Sequence, residues 1–126
     1  MHIDVQHIRA HSTAYGNKAA NATQRHIQFD LSFAEFVELR SITHCQLTGV
    51  KLVPAGEQAP NSHSIDRVDS SKGYTFANCM VISFAANQEK ERLDSFMKGK
   101  VLSAEAKLKL LYKMEYVLRK QVKEIN

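Results

Sequence analysis

One stretch, residues 62–90, gathers oxygen, amide and cationic side chains at spacings that chemistry could use. Asp66 and Arg67 stand together, Gly73 follows, Asn78 comes next, and Asn87 and Lys90 lie three residues apart. A carboxylate at a strand end and an amide oxygen on a facing helix are hard ligands. Such a pair suits Mg²⁺ or Mn²⁺, ions that keep several waters and take few protein ligands. Hydrolysis at such an ion also calls for a proton acceptor and for a cation to offset charge on the group attacked. Arg67 can supply the cation. It has no acceptor atom and cannot be the base. Asp69 is close enough to orient water if the strand has ended by then. His44 could approach from a preceding turn. His63 lies four residues back, about 13 Å along a strand at roughly 3.3 Å per residue. A last option is that no dedicated base exists and Arg67 clamps the group attacked.

Structural readings stand beside these. Asp66 and Asp69 could cap the turn that Gly73 closes, and Asn78 is a common turn residue. Asn87 inside a helix is unexpected on propensity, which favours a ligand role. Lys72, Lys90 and Arg92 are either phosphate contacts or a solvated face. His2, His7, His11 and His26 are scattered and read as exposed. Cys79 reads as a small core residue, and Phe29, Phe33 and Phe36 as core.

The elements that must position these groups are legible in part. Residues 1–27 read as an irregular arm with at most one short helix, because Gly16, Asn17 and Asn21 punctuate the alanines. A helix follows, which Asp30 or Ser32 can cap, with Phe33, Phe36, Val37 and Ile42 (and Leu39) at helical spacing and Ser32 and Glu35 forming a capping box. Thr48-Gly49 reads as a turn leading to a short strand that ends near 53, and 54–62 as a loop. The pattern then predicts a strand over 63–68, a loop through Gly73, a strand over 79–82 and a helix from about 83 to 97, ended by Gly99. Ser103 caps a last helix. Leu108, Leu111, Met114, Leu118, Val122 and Ile125 form a stripe on it that predicts packing on the rest of the domain.

The strand–loop–strand–helix unit resembles the signature of the HNH endonucleases, also called His-Me finger or ββα-metal nucleases. On that resemblance Asp66 matches a metal-binding Asp, Asn87 the second metal ligand, and Asn78 the Asn that braces the loop and orients the base. Lys90 matches a basic residue one helical turn later. Arg67 falls where the general-base histidine belongs. Asp-Arg in place of Asp-His is similar to phage and mobile-element proteins of this family. Cys45-x-x-Thr48-Gly49 is similar to the knuckle that precedes the signature. Many members hold a structural zinc there with two thiol pairs. Here Thr48, Ser83 and Ala86 stand where the other thiols would fall, so no structural zinc is expected. The resemblance spans about residues 43–92. It implies Asp66, Arg67 and Asn78 as catalytic residues, Asp66 and Asn87 as ligands for one Mg²⁺ or Mn²⁺, and Arg67, Lys72, Lys90 and Arg92 as contacts to DNA.

The whole chain sets limits. Its 126 residues are 44% hydrophobic and 24% charged, the composition of a soluble globular protein rather than a disordered segment, and the order of helices and strands makes the expected class α+β. No apolar run approaches the ~18 residues of a membrane span. The N-terminus shows no basic-then-apolar leader, and Cys45 and Cys79 form no CxxC pair, so two reduced thiols in a cytoplasm are expected. The net charge of +4 is uneven: acidic and basic residues balance through residue 87, and the excess lies beyond it. A local basic surface suits a polyanion, or is simply a lysine-rich helix face. The organisation expected is an arm over 1–28, an HNH-like ββα domain over 29–98, and an amphipathic helix over 99–126. The function expected is metal-dependent DNA cleavage. The alternative is a degenerate finger that binds nucleic acid or a protein partner, for example to inhibit a host system.

Overall fold

The computed structural model describes residues 5–56 and 59–125. They divide into two compact units, one running to Lys90 and the other starting at Glu91. The first unit begins with α1, Val5–Gln24, a continuous helix of 20 residues where an irregular arm was expected. Gly16, Asn17 and Asn21 cost helix propensity, but tertiary packing outweighs them. Ala22 is 1% exposed. The Tyr15 ring lies 5.5, 5.5 and 5.4 Å from Phe29, Phe33 and Phe36, and its hydroxyl donates to the Leu31 carbonyl. Phe36 is buried while Phe33 keeps 38% exposure, so of the expected phenylalanine core only part is interior. Helix α1 ends in a Schellman-type turn, with His26 N–H bonded to Thr23 O and Ile27 N–H to Ala22 O.

Helix α2, Phe33–Arg40, has the expected capping box. Glu35 N–H donates to Ser32 Oγ at 3.1 Å and Ser32 N–H to the Glu35 carboxylate at 2.9 Å. The short strand expected near residue 50 is reduced to isolated bridges, His44 with Lys51 and Val53 with Ser62. The Thr48-Gly49 turn is present, with Gly49 at φ 77° and its N–H on the Cys45 carbonyl.

The central hairpin pairs β1, His63–Arg67, antiparallel with β2, Cys79–Ser83. Its register sets Arg67 opposite Cys79, Asp66 opposite Met80 and Ile65 opposite Val81. Because strand side chains alternate between faces, Ile65 and Val81 turn towards the cluster of Ala22, Leu31, Phe36, Leu39 and Tyr74. Ser64, Asp66 and Ile82 turn to the opposite face.

Strand β2 runs into α3, Phe84–Lys98, without a loop. Ser83 ends the strand and caps the helix, its hydroxyl accepting from Ala86 N–H at 3.1 Å. The first helical N–H groups are tied as well, Phe84 to Ser62 O and Ala85 to Pro60 O. These bonds satisfy donors that a helix start leaves orphaned and fix α3 against the hairpin. The result is a ββα unit in an α+β fold.

In the second unit, Ser103 caps α4, Ala104–Ile125, through Ala106 N–H at 3.1 Å. Lys107 Nζ donates to the carbonyls of Met97 and Gly99, closing the α3–α4 turn. No residue of α4 is buried. Among the described residues no helix is long and apolar enough to cross a membrane.

Candidate metal and phosphate site

The loop between the strands is built around Asn78, the last residue of a single 3₁₀ turn, Phe76–Asn78. Its Oδ1 accepts from Asp69 N–H at 3.0 Å, and its Nδ2 donates to Asp69 O at 3.1 Å and Gly73 O at 2.9 Å. Both ends of the amide bond into the loop, the bracing role expected of it. Asp69 is also a turn residue. Its Oδ1 accepts from Ser71 N–H at 3.0 Å and Ser71 Oγ at 2.6 Å, and these bonds hold its carboxyl below the ordinary range.

The loop is seated on the segment after α1. Tyr74 N–H donates to Gln28 O, and Asp30 N–H donates to Tyr74 O, each at 2.8 Å. Gly73 makes this approach possible, since a Cβ there would sit 2.6 Å from the Gln28 carbonyl oxygen. Lys18 of α1 caps the same corner, donating to Ile65 O at 3.1 Å with its ammonium 5.1 Å from the Tyr74 ring centre.

Arg67 is 8% exposed and faces this corner. Its Nη1 donates to Ser70 O at 2.9 Å and Lys72 O at 2.8 Å, and its guanidinium lies 5.3 Å from the Tyr74 ring centre. Nε is buried with no hydrogen-bond partner. The side chain therefore braces the loop from below. It also forms the floor of an open cleft lined by Lys72, Gly73, Asn78, Gln28 and His26. His26 stands at the rim in left-handed backbone, φ 57°, a role that its place among scattered histidines did not reveal.

Asp66 points the other way, towards α3. Lys90 Nζ approaches its Oδ2 at 3.1 Å, and the side chains of Lys90 and Asp66 are 11% and 21% exposed. Oδ2 itself is shut from solvent, and the ammonium meets it as an ion pair outside hydrogen-bond geometry. Asn87 and Lys90, spaced i and i+3, share one face of α3, so Asn87 lies one turn back along the face that meets Asp66. Arg92, expected with this group, lies in the second unit. Asp66 and Arg67, adjacent in sequence, thus serve opposite faces of β1.

The remaining candidates are spoken for. His63 shares Arg67's face, with Nε2 3.3 Å from Leu39 O. Burial, with Arg40 adding to it and the Leu39 carbonyl opposing, pushes its imidazole below the ordinary value. His44 is exposed and pairs with Thr43 Oγ1 at 2.9 Å. The knuckle is occupied by its own backbone: Cys45 Sγ accepts from Thr48 N–H at 3.4 Å and Ser83 N–H at 3.3 Å. Burial pushes this thiol up, but bonds from Thr48, Ser83 and Leu47 outweigh it and bring it down to about 6. Cys79 is the reverse, a half-buried thiol pushed up to about 11 by burial. It packs against the core as expected.

Among the described residues no three His, Cys, Asp or Glu side chains gather as a metal cage. A divalent ion at Asp66 would therefore rest on few protein ligands and on water or phosphate, which is how Mg²⁺ is commonly held. The enclosed Oδ2, with no hydrogen bond of its own, fits that use.

Hairpin, braced loop and following helix together define an HNH-like fold. Among solved structures, the rare-cutting HNH restriction endonuclease PacI superposes with a TM-score of 0.52 at 19% identity, over 70% of this chain and 74% of that one. No family model and no curated protein matches the chain.

Proposed function

We propose that this protein is a metal-dependent DNA endonuclease of the HNH type in which Asp-Arg replaces Asp-His. The observation that carries the reading is the enclosed Asp66 Oδ2 near the end of β1, met by Lys90 of α3 within an HNH-like fold. In this reading Asp66 and Asn87 hold one Mg²⁺ or Mn²⁺, whose contribution when bound is Lewis-acid stabilisation of charge on a phosphate. Asn78 keeps the loop in one shape. Arg67 and Lys72 give the neighbouring cleft a positive floor and rim that attract the backbone of DNA, with Lys90 as a further basic contact. Arg67 cannot accept a proton, so the attacking water loses its proton to solvent or to a group of the substrate. That predicts slow turnover, which rises if Arg67→His restores a base.

A second reading is favoured by the cation already lying on Asp66 and by the arginine at the base position: a finger that binds DNA without cutting it. Plasmid cleavage in Mg²⁺ or Mn²⁺ separates the two. Cutting that disappears in Asp66→Ala supports the nuclease. Salt-sensitive DNA binding with no cutting by the wild type or Arg67→His supports the binder, and binding indifferent to salt points to a protein partner.

A further inference from the structure

We infer that Lys90 is a resident counter-ion for Asp66, and that a divalent ion reaches this carboxylate only by displacing the Lys90 ammonium. The inference rests on the reading of Asp66 as a metal ligand and adds to it a residue that sets metal affinity. The ammonium sits 3.1 Å from Oδ2, close to the position that a cation coordinating this oxygen would need. The pair is largely withdrawn from solvent, at 11% and 21% exposure, so water screens it weakly. The contact has the distance of an ion pair without the alignment of a hydrogen bond. It therefore depends on charge, which a divalent ion supplies twice over, more than on directed bonding. Lys90 has a long, flexible stem, so a change of its rotamers moves the ammonium off Oδ2 without moving the helix. With no such ion, the ammonium prevents a half-buried carboxylate from standing uncompensated, a situation that costs stability. Metal binding is accordingly an exchange of one cation for another, and affinity in the absence of DNA is weak. A phosphate backbone near the site would give the released ammonium an alternative partner, which couples metal uptake to DNA.

The test is Mn²⁺ binding without DNA, followed by calorimetric titration and by the rise in thermal midpoint on adding Mn²⁺. The proteins are the wild type, Lys90→Met, Lys90→Gln, Lys90→Arg and the double variant Asp66→Asn/Lys90→Met. Removing the competing charge is expected to tighten Mn²⁺ binding about tenfold or more in Lys90→Met and Lys90→Gln. Lys90→Arg should stay near the wild type, and the double variant should lose the gain. Without metal, Lys90→Met should melt below the wild type and recover when Mn²⁺ is added. Equal affinity in the wild type, Lys90→Met and Lys90→Gln would overturn the exchange while leaving Asp66 as a ligand. Tight binding that survives in the double variant would place the ion elsewhere and overturn it too. No binding by either single variant that removes the charge would overturn both the exchange and the metal reading.

Discussion

At the scale of single residues, the spacing in the sequence identified which side chains matter but not which way they face. Asn78 was legible because a loop-bracing amide needs only local partners, and Asp69, Gly73 and Asn78 all lie within one loop. Arg67 was legible as a residue unable to act as a base. Its engagement with the carbonyls of Ser70 and Lys72 and with the Tyr74 ring was not, since it depends on the loop's three-dimensional path. Asp66 and Lys90 were both singled out, yet their pairing joins a strand to a helix 24 residues on and no local pattern encodes it. Two outcomes belong to this scale. Asn78→Ala removes three hydrogen bonds and should cost about 1–3 kcal/mol in urea unfolding, with amide exchange in residues 69–73 accelerating most. The His63 imidazole is held below its ordinary value of 6.5 by burial. Its stabilising contribution is therefore present above pH 6.5 and lost as pH falls through the folded value. Thermal midpoints should drop between pH 7 and 5, and drop less steeply in His63→Gln. A His63→Gln profile parallel to the wild type would remove His63 as the cause.

At the scale of elements, strong local signals agreed with the structure and weak ones were overridden. The Ser32–Glu35 box, the two strands and the start of α3 fall within a residue or two of expectation, because caps, alternation and a strand-to-helix serine are local chemistry. Helix α1 stands where the sequence pattern predicts an arm. Gly16, Asn17 and Asn21 look like punctuation, while the stabilising contacts of Tyr15, Lys18 and Ala22 are all long-range. The strand near residue 50 shrank to bridges because its neighbours pair one residue at a time. Two substitutions test how the elements are joined. Gly73→Ala would force a Cβ to 2.6 Å from Gln28 O and should destabilise by about 1–3 kcal/mol, loosening the loop from α1. His26→Gly relieves a left-handed residue at the end of α1 and should stabilise by about 0.5–1 kcal/mol. Both are read in denaturant melts.

At the scale of the molecule, the first unit fixes a strand-end carboxylate against a helix and a basic cleft on the opposite face of the same strand. An HNH-like fold is thus combined with a buried arginine bracing the loop and with a lysine on the Asp66 carboxylate. Fold class was readable from the order of elements; the cleavage proposed above rests on Asp66 and Arg67. The most direct test is the initial rate of supercoiled plasmid nicking in Mn²⁺ by the wild type beside Asp66→Asn, with equal folding checked by circular dichroism. The expected result is slow nicking by the wild type that falls at least about a hundredfold in Asp66→Asn, the scale of losing one electrostatic contact to the transition state. Nicking at equal rates by both proteins, or by neither in Mg²⁺ or Mn²⁺, would contradict the assignment of Asp66 as the centre of a hydrolytic site.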